Sequence, residues 1–153
     1  MYGGAYSVVA DAAGIKAMVN NDKSEVTIIL AEDITGASTI TIPEGKTVTV
    51  DLGDSSIKGN SYLFNVAGGD LVLKGGEVES SGRPVYISAG TVTIDGTEVT
   101  STSDVAVNAN GPEAEVIFNS GKISAQESGV LVTTGASLVM NGGEIECTDN
   151  CPI

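Results

Sequence analysis

The sequence predicts an all-β protein: a right-handed three-sided parallel β-helix of about five coils, headed by a short capping helix. Three observations predict it: a recurring phrase, a near-constant period, and three lanes of alternating apolar residues. The phrase reads Lys74-Gly75-Gly76-Glu77-Val78, Asp95-Gly96-Thr97-Glu98-Val99 and Asn141-Gly142-Gly143-Glu144-Ile145. Weaker copies read Asn119-Ser120-Gly121-Lys122-Ile123 and Gly53-Asp54-Ser55-Ser56-Ile57. Its closing apolar residues fall at 57, 78, 99, 123 and 145, in steps of 21, 21, 24 and 22. A fixed period of this size, built of short strands, marks a solenoid in which each coil buries its core against its neighbours.

The lanes follow from the alternation. The first takes Ile40/Ile42, Phe64/Val66, Val85/Ile87, Val105/Val107 and Val130/Val132. The second takes Val50/Leu52, Leu71/Leu73, Val92/Ile94, Val116/Phe118 and Leu138/Met140. The third is the recurring phrase, closing on Ile57, Val78, Val99, Ile123 and Ile145. Period-two alternation is what a strand with one buried face requires. Glycines and polar residues separate the lanes, as turns do. A β-sandwich shares the alternation but gives no reason for one register to recur five times.

Ahead of the coils, residues 11–19 (Asp-Ala-Ala-Gly-Ile-Lys-Ala-Met-Val) read as a short helix with Asp11 as its N-cap. Ala12, Ile15, Met18 and Val19 share one face, which suits a lid over the first coil. The division expected is an N-terminal segment with its capping helix over 1–23 and the β-helix over 24–153. After Ile145 nothing looks like a second cap, so the far edge is covered by a partner, blunted by the tail and Pro152, or continued in a longer protein.

Composition sets the outer bounds. The formal charge of −13 opposes nucleic-acid backbones and anionic membrane surfaces. The longest apolar runs, such as Val26-Thr27-Ile28-Ile29-Leu30, are too short to span a bilayer, so no membrane insertion is expected. Met1-Tyr2-Gly3-Gly4-Ala5-Tyr6 has neither the basic start nor the apolar stretch of a secretion signal. Cys147 and Cys151 are the only cysteines, and with no histidine and no second pair they do not make a zinc site. Cys147 reads as a small buried residue in the lane of Ser80, Ser101 and Ala125; a disulfide to Cys151 is the alternative in an oxidising compartment.

Ser38-Thr39-Ile40-Thr41-Ile42-Pro43-Glu44-Gly45-Lys46-Thr47-Val48-Thr49-Val50-Asp51-Leu52, followed by the Gly-Gly-Glu-Ile phrases, resembles the right-handed β-helices of the pectate-lyase-like superfamily. It is similar above all to the non-catalytic repeats of bacterial surface adhesins and bacteriophage fibres. The resemblance covers residues 24 to 149 and is specific for fold, because that superfamily includes lyases, hydrolases, adhesins and virion spikes.

The outward positions give the candidate surfaces. The third lane shows Glu77/Glu79, Glu98/Thr100, Lys122/Ser124 and Glu144/Glu146, a charged wet face on which Lys122 opposes calcium binding. The second shows Val72, Thr93, Ile117 and Val139, and the first Asn65, Tyr86, Ala106 and Leu131. Val72, Ile117, Val139, Leu131 and Tyr86 are therefore the expected interface of a homo-oligomer, most simply a trimer. Tyr62, Tyr86, and Asn110 and Glu113 of the 108–114 loop are the expected contacts to a glycan or cell-surface ligand.

Chemistry is sparse. Lyases of the resembled superfamily use Arg or Lys as base with calcium held by carboxylates, and Arg83 is the only arginine here. Carboxylate pairs such as Asp51 with Asp54 or Glu77 with Glu98 arise readily in an acidic repeat, and there is no histidine or tryptophan. The expectation is a non-enzymatic structural or adhesive module without cofactor or metal. Its expected setting is a virion surface, as a phage fibre or decoration protein. A display domain of a bacterial cell-surface adhesin is the alternative, and a polysaccharide lyase or glycoside hydrolase stands behind both.

Overall fold

The computed structural model of the chain describes residues 5–149. The elements run β1 (Ala5–Val9), α1 (Ala12–Val19), β2 (Glu25–Leu30), β3 (Ile34–Ala37), β4 (Ile40–Pro43), β5 (Thr47–Gly59) and β6 (Phe64–Ser80). They continue β7 (Val85–Ser101), β8 (Val105–Asn110), β9 (Ala114–Ala125), β10 (Ser128–Thr133), β11 (Ser137–Met140) and β12 (Glu144–Cys147). All strand pairings among the described residues are parallel, each strand bonding to the one a coil away. The result is a parallel β-solenoid of about six turns.

β5, β6, β7 and β9 are long because their ladders persist around corners: β5 and β9 run through the second and third lanes, β6 and β7 through all three. The third lane stacks Ile34, Ile57, Val78, Val99, Ile123 and Ile145 in register, as the recurring phrase predicts. The second stacks Val26, Val48, Leu71, Val92, Val116 and Leu138 beside Ile28, Val50, Leu73, Ile94, Phe118 and Met140. Through the middle coils these side chains are wholly buried. Each such burial contributes about 1.5–3 kcal/mol, which is what offsets the ordering of so many short strands.

Two registers differ from expectation. In the second lane Val48/Val50, not Val50/Leu52, face Leu71/Leu73; Leu52 is buried where the chain enters the corner. In the first lane Val85 and Ile87 pair with Val107 and Ala109, not with Val105 and Val107. That shift of two moves Asn108 into the outward column with Tyr86 and Leu131, while Ala106, expected outside, is fully buried. The solenoid also begins earlier than residue 24, because β1 pairs with β2 from Ala5↔Val26 to Val9↔Leu30.

The N-terminal end is closed by α1. Asp11 is extended and its Oδ1 accepts from the Gly14 N–H at 2.7 Å, satisfying a donor that the helix leaves orphaned. Ile15 and Val19 are buried in the core, Met18 packs against it, and Lys16 Nζ donates to Ser38 Oγ. Asp11→Ala is expected to cost about 1 kcal/mol, read as a fall in the urea midpoint. An unchanged midpoint would mean that the lid is held by burial alone.

Candidate functional site

The aromatic residues singled out in the sequence come together. Tyr62, in the turn before β6, and Tyr86, outward on β7, stack with ring centroids 5.1 Å apart and planes 10° from parallel. The register pairs Tyr86 with Asn65, so the ring of Tyr62, from the turn that leads into that strand, reaches over the outward face of the next coil. Arg83 lies in the next turn along, its Nε donating to both carboxylate oxygens of Asp104 at 3.2 and 3.1 Å. Partial burial lowers the Arg83 pKa, but the hydrogen bond and charge of Asp104 outweigh it and hold the guanidinium above its ordinary value. This cation is thus fixed beside an aromatic stack, with Tyr62 exposed at its edge.

Asn110 and Glu113 belong to another part of the coil. Asn110 ends β8, and its Oδ1 accepts from Thr134 Oγ1 at 2.7 Å. Glu113 is exposed in the turn to β9, where its carbonyl accepts from the Gly90 N–H at 2.9 Å. The segment expected as a loop over 108–114 is mostly strand; only residues 111–113 lie between β8 and β9. Asn110 and Glu113 therefore sit at the exit corner of the first lane, while the tyrosine stack sits at its entry. Asn108, not singled out in advance, is buried in the outward column between Tyr86 and Leu131, and its Oδ1 has no hydrogen-bond partner among the described residues.

The charged face is assembled as the phrase implies. Glu77, Glu98, Lys122 and Glu144 occupy successive rungs. Lys122 reaches Glu146 at 2.7 Å, and Lys58 reaches Glu79 at 3.4 Å. A groove on this face is lined by Asp33, Asp54, Ser56, Lys58, Glu77 and Glu98. Among the described residues no three or more carboxylates or cysteines converge as a metal site would require.

Burial raises the Glu77 carboxyl above its ordinary 4.5, Lys58 pulls it down, and Glu79 and Glu98 add to the rise. A raised carboxyl binds its proton more tightly in the folded chain, so its ionisation destabilises the fold as pH rises through that window. Glu77→Gln is expected to raise the urea midpoint at pH 7 and to leave it unchanged at about pH 3, where both states of the wild-type residue are protonated. A gain of equal size at both pH values would assign the effect to packing instead.

Of the expected lateral interface, Val72, Ile117, Leu131 and Tyr86 are half-buried on their own sheets, and Val139 is exposed on β11. Cys147 is half-buried rather than buried, and it is disulfide-bonded, which favours the alternative to a free core thiol. Cys151 and Pro152 lie outside the described residues. No described helix is long and apolar enough to cross a membrane. Comparison with protein-family models, with curated proteins and with solved structures finds no match.

Proposed function

We propose that the chain is a non-enzymatic structural or adhesive module, a rigid β-solenoid rod that spaces or displays a surface. The observation that carries this is the brevity of its corners. From β2 onward no connection between consecutive strands exceeds four residues. Substrate clefts on a solenoid are walled by loops grown from the corners, and connections this short cannot wall one. The pairing of Arg83 with Asp104 supports the same reading, since it occupies the sole arginine.

The setting proposed is a virion surface, as a phage head or tail fibre or a decoration protein. Display on a bacterial cell surface is the second reading, and the Tyr62–Tyr86 stack beside Arg83 favours it, because aromatic faces with adjoining polar groups suit sugar rings.

Incubation with pectin, alginate and peptidoglycan, followed by assays for bound protein and for new reducing or unsaturated ends, tests the proposal. Saturable binding without new ends fits an adhesive module, and neither signal fits a purely structural one. Depolymerisation that is lost in Arg83→Lys or Glu77→Gln would overturn both.

A further inference from the structure

Two phenols held face to face can do more than offer a flat surface. The rings of Tyr62 and Tyr86 lie with centroids 5.1 Å apart and planes 10° from parallel, so carbons of one ring stand close to carbons of the other. The coils beneath hold that approach. Tyr86 is the register partner of Asn65, on the strand that follows the Tyr62 turn. That turn is tied to the coil on each side of it. Thr39 Oγ1 donates to the Tyr62 carbonyl at 2.6 Å, the Ile40 N–H to the Leu63 carbonyl at 2.7 Å, and the Phe64 N–H to the Pro84 carbonyl at 2.9 Å. Leu63, the next residue after Tyr62, is wholly buried. Both backbones are thus pinned, and the rings meet without a search, which is the condition for fast intramolecular reaction.

The rest of the chain offers little competition for a one-electron oxidant. There is no tryptophan and no histidine, and among the described residues there is no free thiol, Cys147 being disulfide-bonded. Met140, 49% exposed, reacts differently: it gains an oxygen and becomes the sulfoxide. The chain's other two tyrosines, Tyr2 and Tyr6, fall at its very start in sequence. Tyr62, 37% exposed, opens the pair to solvent, and half-buried Tyr86 lies against it. A net charge of −13 keeps separate copies apart, which favours coupling inside one chain over coupling between two.

We propose that Tyr62 and Tyr86 form an oxidative cross-linking site, at which a peroxide-driven one-electron oxidant joins them as dityrosine. Each phenol loses one electron and one proton to give a phenoxyl radical. The two radicals form one carbon–carbon bond between ring positions ortho to the oxygens. The hydrogens on those two carbons then move to the oxygens, which restores both phenols. The two electrons and two protons released reduce one hydrogen peroxide to two waters. The new bond staples the turn before β6 to β7, and so ties neighbouring coils through side chains as well as through the ladder. Closing the intervening chain into a covalent loop restricts the unfolded state far more than the folded one, as a disulfide does.

Treatment of the folded chain with a haem peroxidase and limiting hydrogen peroxide, across a dilution series, tests the site by dityrosine fluorescence and peptide mapping. The expected product is a monomer two hydrogens lighter, with a cross-link between the peptides that carry Tyr62 and Tyr86. Its yield per chain should not change on dilution, and its urea midpoint should lie above that of the untreated chain. Methionine oxidation adds mass instead of removing it, so the two products separate in the same spectrum. Tyr62→Phe and Tyr86→Phe each remove only a hydroxyl, so both should fold with an unchanged circular dichroism spectrum and both should lose the product. Absence of dityrosine from the monomer, a link that maps to Tyr2 or Tyr6, or a product that survives Tyr86→Phe would overturn the proposal. So would dityrosine that forms only between chains and fades on dilution.

Discussion

Gly90→Ala is expected to lower stability by at least about 3 kcal/mol, moving the urea midpoint down by more than about 1 M. Gly90 turns the corner between the first and second lanes with φ +95°, where an L side chain costs about 1–2 kcal/mol. The larger part comes from the neighbouring coil. A β-carbon here would lie 1.9 Å from the carbonyl oxygen of Gly69 and 3.0 Å from the carbonyl carbon of Gly68. Both are backbone atoms and cannot rotate away. Relief requires the corner to shift, and the Gly90 N–H bond to Glu113 O at 2.9 Å goes with it. Gly96→Ala is the matched control. Its φ of +78° carries the same conformational cost, but its nearest neighbour would be 3.8 Å away. It should cost only about 1–2 kcal/mol. Equal losses at the two sites would show that coil-to-coil contact at the corner is looser than described.

Leu71→Ala and Leu138→Ala should part company although they delete the same atoms from one column. Leu71 has a coil on each side and no exposure, so its loss leaves a cavity that rigid ladders cannot collapse, at a cost of about 2–5 kcal/mol. Leu138 has a coil on one side only among the described residues. Its side chain is 36% exposed, so truncation should cost about 1–2 kcal/mol, less than at Leu71. Urea denaturation at low protein concentration compares them directly. A large loss at Leu138 under those conditions would mean that the last coil is covered within the single chain.

How much of this was legible in the sequence depended on how many registers each lane allowed. The third lane was readable to the residue, because a glycine-bearing corner precedes one isolated apolar residue in each coil and leaves a single alignment. The fourth coil of the first lane was not. Val105-Ala106-Val107-Asn108-Ala109 offers small apolar residues at three alternate positions, and all five residues are buried. Pattern alone cannot choose between the pair 105/107 and the pair 107/109. The same ambiguity in Val48-Thr49-Val50-Asp51-Leu52 displaced the second lane by two. β1 lacked a signal altogether, since Ser7 takes the inward position paired with Ile28.

The candidate site was legible in composition and not in geometry. Tyr62 and Tyr86 were visible as the aromatics outside the core lanes. Their stacking follows from a turn in one coil lying against a strand in the next, and spacing alone does not give that. At the far end the sequence shows no second cap after Ile145, and among the described residues Leu138, Met140 and Ile145 are exposed there. That its exposed surface comes from inward columns, rather than from outward aliphatics such as Val72 and Ile117, required the burial of each rung.

The most direct test of the stacked, in-register rod is cross-linking between rungs. Thr93 and Ile117 are register partners on adjacent coils, whereas Val139 lies one coil further on. Adjacent rungs stand about 4.8 Å apart, within the Cα reach of a disulfide, and rungs two coils apart stand at roughly 9.6 Å, beyond it. Thr93→Cys with Ile117→Cys should form a bond under mild oxidation, located by peptide mapping apart from Cys147 and Cys151 and leaving stability intact. Thr93→Cys with Val139→Cys should not close within a chain. Closure of the second pair in preference to the first would contradict the register and, with it, the rod on which every proposal here stands.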